Sequence, residues 1–130
     1  MVDGRYATYQ GQTFRVSGVH DGYVRLVTED AASQHLGFEA KTYEHTAHTL
    51  YIKEVPREDI EEVYDIRLEA RYEGVIFDLF SDVDGQWYIG TSDSEKGEAY
   101  QLLHTDKYYY SKPVKETEFE RILHRSSVEL

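Results

Sequence analysis

The sequence predicts a mainly β protein with short helices, organised as two tandem copies of one small unit. Three observations predict it. The phrase "ATYQGQTFRV" returns later in the chain as "ARYEGVIFDL": Ala7, Tyr9, Gly11 and Phe14 each stand 63 positions before Ala70, Tyr72, Gly74 and Phe77. Ordered matches at a fixed spacing are the mark of an internal duplication. Within these stretches apolar and polar residues alternate, which is the period of a strand with one buried face. Finally, the chain carries 12 tyrosines among 130 residues, a side chain suited to pleated, half-buried surfaces with its hydroxyl in water.

The elements follow in order. Ala7 to Val16 reads as strand, turn and strand. In "GQTFRVSGV", Phe14, Val16 and Gly18 alternate with Thr13, Arg15 and Ser17. Asp21-Gly22 supplies a tight hairpin turn because both residues tolerate positive φ, and "YVRLVT" is the returning strand. Asp30 can cap a short helix over residues 31–36, with Gly37 as its stop. "HTLYIKEV" is the next strand. Pro56 and the acids of "PREDIEEV" then begin one or two helical turns.

The second copy repeats this plan. Asp21-Gly22, Val24, Leu26, Thr28 and Asp30 recur 63 positions on as Asp84-Gly85, Trp87, Ile89, Thr91 and Asp93. "SDSEKGEAYQLL" holds an internal glycine, so an irregular loop or a single turn is expected there. A single gap then lowers the spacing to 59, aligning His45-Thr46 with His104-Thr105, and Tyr51, Lys53 and Val55 with Tyr110, Lys112 and Val114. "DKYYYSKPV" reads as a strand and "KETEFERI" as the closing turn. The expected core is Phe14, Val16, Leu26, Ile60, Phe77, Leu79, Trp87, Ile89 and Phe119.

Hairpin, loop or short helix, strand and helical turn make the order of an SH3-like half-barrel. The expected domains are residues 1–66 and 67–130. A unit of about 60 residues is marginally stable alone, and "VYDIRLEARYEG" joins the two without a flexible linker. One continuous strand is therefore expected across the junction, with the halves packed as one pseudo-symmetric body.

Composition narrows the function. The chain has no cysteine, which excludes disulfides and thiolate metal sites. Its N-terminus lacks the basic and apolar regions of a signal peptide, and no apolar run approaches the roughly 20 residues that span a bilayer. A cytoplasmic, monomeric protein is expected. Asp and Glu number 25 against 14 Lys and Arg, a net charge of −11. Such a surface repels phosphate backbones and attracts a basic partner.

Catalytic constellations are missing from the sequence. There is no Gly-x-Ser-x-Gly elbow, no GxGxxG and no P-loop. His35, His45 and His48 invite a metal, but His45 and His48 stand three apart in a strand-like context, where that spacing points side chains to opposite faces. "SDVDGQW" lacks the further ligands of a calcium loop, so Asp82 and Asp84 read as turn residues. Neither an enzyme, a cofactor nor a metal is expected. The candidate binding residues are the acidic run at the junction, Glu54, Glu58, Asp59, Glu61, Glu62, Asp65, Glu69 and Glu73, together with Tyr108 and Tyr109.

Two copies of a tyrosine, a glycine two positions on and then an aromatic ("YATYQGQTF", "EARYEGVIF"), each followed by a Tyr-x-Lys-x-Val strand ("YIKEV", "YSKPV"), resemble small bacterial immunity proteins of polymorphic-toxin and contact-dependent inhibition systems. The resemblance implies a cytoplasmic, non-enzymatic protein that binds and blocks one cognate toxin domain. It carries over no binding residues. An SH3-like adaptor that binds peptides in an aromatic groove would share these features.

Overall fold

The computed structural model describes residues 2–42 and 48–130. These form a mainly β protein, with strands in antiparallel pairs and helices of no more than six residues. Two compact units are present: Gly4–Asp65 with Arg125–Leu130, and Ile66–His124 with residues 2–3.

In the first unit, β1 (Gly4–Tyr9) and β2 (Gln12–His20) are joined by Gln10-Gly11, and β2 and β3 (Tyr23–Thr28) by Asp21-Gly22. Their φ values are 50° and 74°, then 49° and 79°. Two central residues at positive φ match the right-handed twist of the flanking strands, so both hairpins follow from local turn chemistry. A short 3₁₀ helix, Ala31–Leu36, comes next, capped by the Asp30 carboxylate on the Ala32 N–H and stopped by left-handed Gly37. β4 (Glu39–Thr42) and β5 (Thr49–Pro56) complete an open sheet in the order β4-β5-β3-β2-β1. Its core gathers Ala7, Tyr9, Phe14, Val24, Leu26, Phe38, Val55 and Val63. A bulge between Val16 and Gly18 interrupts the expected alternation, so Gly18 faces Arg25 rather than continuing the apolar face.

β6 (Glu62–Tyr72) is the continuous strand expected at the junction. In the second unit its later residues pair with β7 (Val75–Ser81), which pairs with β8 (Trp87–Thr91), in the open order β6-β7-β8-β10-β9. The remaining elements are α1 (Ser94–Ala99), β9 (Leu103–Asp106), β10 (Tyr109–Val114), the 3₁₀ turn Glu116–Glu118 and β11 (Phe119–Ser127), the last paired with β6.

The duplication is visible in the hydrogen-bond register. Ala7 faces Phe14 as Ala70 faces Phe77. Val16 faces Leu26 as Leu79 faces Ile89, and Leu26 faces Lys53 as Ile89 faces Lys112. One polar constellation recurs with it. Lys53 lies 5.0 Å from the Tyr9 ring and donates to the Leu36 carbonyl at 2.6 Å; Lys112 lies 4.6 Å from the Tyr72 ring and donates to the Tyr100 carbonyl at 3.0 Å. The lysine of each Tyr-x-Lys-x-Val strand thus ties a helix end to the hairpin. The motif is a structural tie in both copies.

Four expectations are corrected. The segment after Asp93 is an α-helix, because Asp93 accepts from the N–H groups of Glu95 and Lys96; its internal glycine is a packing requirement and not a breaker. The gap is two gaps. Buried Phe38 and Leu102 stand 64 apart, and the spacing is 59 in β5 and β10. His104 therefore takes the place of Ala40, each facing the tyrosine of its Tyr-x-Lys-x-Val strand, while His45 lies outside the described residues. β4, β9 and β11 are strands that the sequence reading did not contain. Finally, Phe14, Leu26, Phe77, Leu79 and Ile89 are buried, but Val16, Ile60, Trp87 and Phe119 are only partly so. Trp87 sits under the Arg121 guanidinium at 4.6 Å and packs edge-on to Phe119.

Candidate functional site

The acidic run divides between the two units. In the first, β5 sets Glu54 beside Arg25 of β3, with Arg25 and His20 each 3.2 Å from its carboxylate. Glu58 and Asp59 occupy the exposed 3₁₀ turn Arg57–Asp59, which the Arg57 N–H pins to the Gly22 carbonyl at 2.9 Å. Neither has a cation partner among the described residues. Glu61 accepts from the Gly11 N–H at 3.0 Å and so braces the first hairpin turn. Glu62 meets Arg125 at 2.6 Å. Asp65 takes both arms of Arg5, at 2.9 and 3.2 Å, and this hydrogen-bonded guanidinium lowers its pKa.

In the second unit, Glu69 lies between His124 at 2.6 Å and Arg67 at 3.3 Å. Burial pushes its carboxyl up, but hydrogen bonds and charge from His124 and Arg67 outweigh that and leave it lowered. Glu73, at φ 50°, forms the β6–β7 turn with Gly74. Exposed ion pairs of this kind contribute about 0–1 kcal/mol each. Their larger consequence is to cancel charge locally, which leaves Glu58, Asp59 and Glu73 as the carboxylates of the run without a cation among the described residues, the first two side by side on one exposed turn.

The three consecutive tyrosines reach three environments. Tyr108 is 74% exposed, with Lys107 5.4 Å from its ring. Tyr110 stacks on His104 at 4.7 Å. Tyr109, set apart by a bulge between it and Tyr110, is partly buried and donates its hydroxyl to Asp78 at 2.9 Å.

Sequence reasoning missed the neighbours of Tyr109. Phe80 on β7 faces Tyr88 on β8; their rings stack at 5.5 Å and 11°, and Phe80 lies 6.3 Å from the Tyr109 ring. Tyr88 donates to Asp82 at 3.0 Å. Asp82 also accepts from the backbone of Asp84 and Gln86, as a turn residue should. The alternation Asp78, Phe80, Asp82 beside the core residues Phe77 and Leu79 was the available signal. The partners on β8 and β10 emerge only from the register.

Burial and the Asp78 carboxylate raise the Tyr109 pKa above the ordinary phenol value. A folded-state pKa above the unfolded one means that the unfolded chain ionises first, so this contribution is intact below about pH 10 and is lost as pH rises beyond it. Urea denaturation at pH 9 and pH 11 should show a smaller alkaline loss for Tyr109→Phe than for the wild type. Equal losses would refute the placement.

Other features are chemically plain. A groove of about 350 Å³ in the first unit is lined by both signs of charge, including Arg25, Lys41, Glu39 and Glu54. Among the described residues no cluster of three His, Asp or Glu side chains could hold a metal, and no helix is long and apolar enough to cross a membrane.

No curated protein and no solved structure matches the chain. A family model matches residues 1–130. With its whole length covered, the chain belongs to the family described as Uncharacterised conserved protein UCP033725.

Proposed function

We propose that this is a non-catalytic immunity protein of the cytoplasm that binds and neutralises a cognate, basic, nuclease-like toxin domain. The observation that carries the reading is the net charge of −11 combined with an exposed turn, Glu58–Asp59, whose carboxylates no described cation cancels. An acidic inhibitor is steered to a basic surface and competes there with a phosphate substrate. The family description names no activity; the biological role rests on the resemblance of the two Tyr-x-Lys-x-Val repeats to immunity proteins.

The test is co-expression with a candidate toxin domain drawn from the neighbouring genes, followed by co-purification and growth rescue. Failure to bind or protect overturns the reading and favours a peptide-binding adaptor. Association kinetics then separate steering from contact. Glu58→Lys with Asp59→Lys should slow association about tenfold in low salt, with the effect fading as screening shortens the reach of charge to about 8 Å. Glu61 and Glu62 are unsuitable for reversal, because they hold Gly11 and Arg125. An unchanged rate in the double variant would remove the electrostatic component.

A further inference from the structure

We propose that the Phe80–Tyr88–Tyr109 face of the second unit, flanked by Asp78 and Asp82, is a docking surface for an arginine side chain of a basic protein partner. The inference takes the charge of its ligand from the basic-partner reading; the geometry is independent of it.

Three observations point to a cation. The rings form one aromatic cluster: Phe80 stacks on Tyr88 at 5.5 Å, the Tyr109 ring lies 6.3 Å from Phe80 at a tilt of 50°, and Phe80 remains 38% exposed. Elsewhere the chain lays its own cations over its rings, Lys53 over Tyr9, Lys112 over Tyr72 and Arg125 over Tyr64. Among the described residues none lies over Phe80, Tyr88 or Tyr109, so an external cation has no lysine or arginine of the chain to displace there. The flanking groups also carry the complementary sign. Asp82 is a fixed charge, held by two backbone N–H groups and the Tyr88 hydroxyl. Asp78 accepts from Tyr109 and retains acceptor capacity for a second donor.

The repeat sharpens the point. Asp78 and Tyr88 stand where the first unit has Arg15 and Arg25, in the shared register that pairs Arg15 with Val27 and Asp78 with Gly90. The buried faces of the two copies agree, whereas at these outward positions two arginines of the first copy are replaced by an acid and an aromatic in the second. The fold therefore does not dictate an aromatic, acidic surface here. The backbone of Gly90 also leaves room for the Tyr109 ring: a Cβ at that position would fall 2.5 Å from two of the ring's carbons. Guanidinium suits the platform better than ammonium, because it is planar, stacks on rings and offers paired donors to a carboxylate.

Titrating the isotope-labelled protein with hexa-arginine amide in low-salt buffer, and following backbone amides by NMR, tests the inference. The expected result is a localised shift at Phe80, Tyr88, Gly90 and Tyr109. Phe80→Ala and, independently, the isosteric Asp78→Asn should each weaken binding about fivefold while the circular dichroism spectrum is unchanged. Equal binding of a hexa-glutamine amide, absence of binding, or unaltered affinity in both variants would overturn it. Shifts confined to Glu58 and Asp59 would overturn the platform and leave the basic-partner reading standing. A platform that binds hexa-arginine in a protein that ignores the neighbouring toxin would sink the immunity role alone.

Discussion

Phe77→Ala should lower stability by about 3–5 kcal/mol, the usual cost of removing a core aromatic. Phe77 is 2% exposed and faces Ala70 across the β6–β7 hairpin. Tyr72 and Tyr100 meet its ring edge-on at 6.1 and 5.4 Å, and the Lys96 ammonium lies 4.7 Å from its centroid. Truncation opens a cavity bounded by strand and helix together, so neither wall can close it alone. It also removes the ring beneath Lys96. Urea denaturation provides the measurement, with Phe80→Ala as the comparison. Phe80 points outward from the same strand, and its loss should cost under about 1 kcal/mol, as surface positions generally do. Similar costs for the two variants would mean that the faces of β7 are assigned the wrong way round.

Gly97→Ala should destabilise the protein by about 1–3 kcal/mol, the usual penalty for overpacking. The sign is the informative part. In an open helix interior this change gains about 1 kcal/mol, since glycine is the poorer helix former. Here the added Cβ would lie 2.6 Å from Tyr110 Cγ and 2.8 Å from Tyr110 Cβ. These atoms sit at the root of the side chain and cannot swing aside, and Tyr110 is itself held in register with Thr91 and stacked on His104. The first copy provides a control. Ser33 occupies the equivalent buried place and spends its hydroxyl on the Asp30 carbonyl at 2.7 Å, so Ser33→Ala removes one hydrogen bond without a clash and should cost only about 1 kcal/mol. A stabilised Gly97→Ala protein would show that α1 does not pack on Tyr110.

What the sequence by itself determined is everything decided within a few residues. Asp21-Gly22 makes a tight turn wherever it is placed between strands, Asp30 caps the helix that follows it, and Gly37 ends that helix at φ 89°. Alternation around Phe14 and Phe77 named the buried face, and the duplicated spacing carried these assignments from one copy to the other. Tertiary structure decided the rest, because the relevant partner lay far along the chain. β4 and β9 are exposed at all four positions and have no alternating pattern of their own; they are strands because β5 and β10 offer an edge to pair with. Gly97 reads as a helix breaker until Tyr110 is packed against it. Phe80, Tyr88 and Tyr109 become one surface only when the register brings three strands together. The acidic run shows the same limit most clearly. Charge is countable from composition, but its cancellation is not: Asp65 is paired by Arg5, 60 residues away, and Glu62 by Arg125, 63 residues away. Coulomb interactions depend on distance in space, and a linear list of residues does not contain that distance.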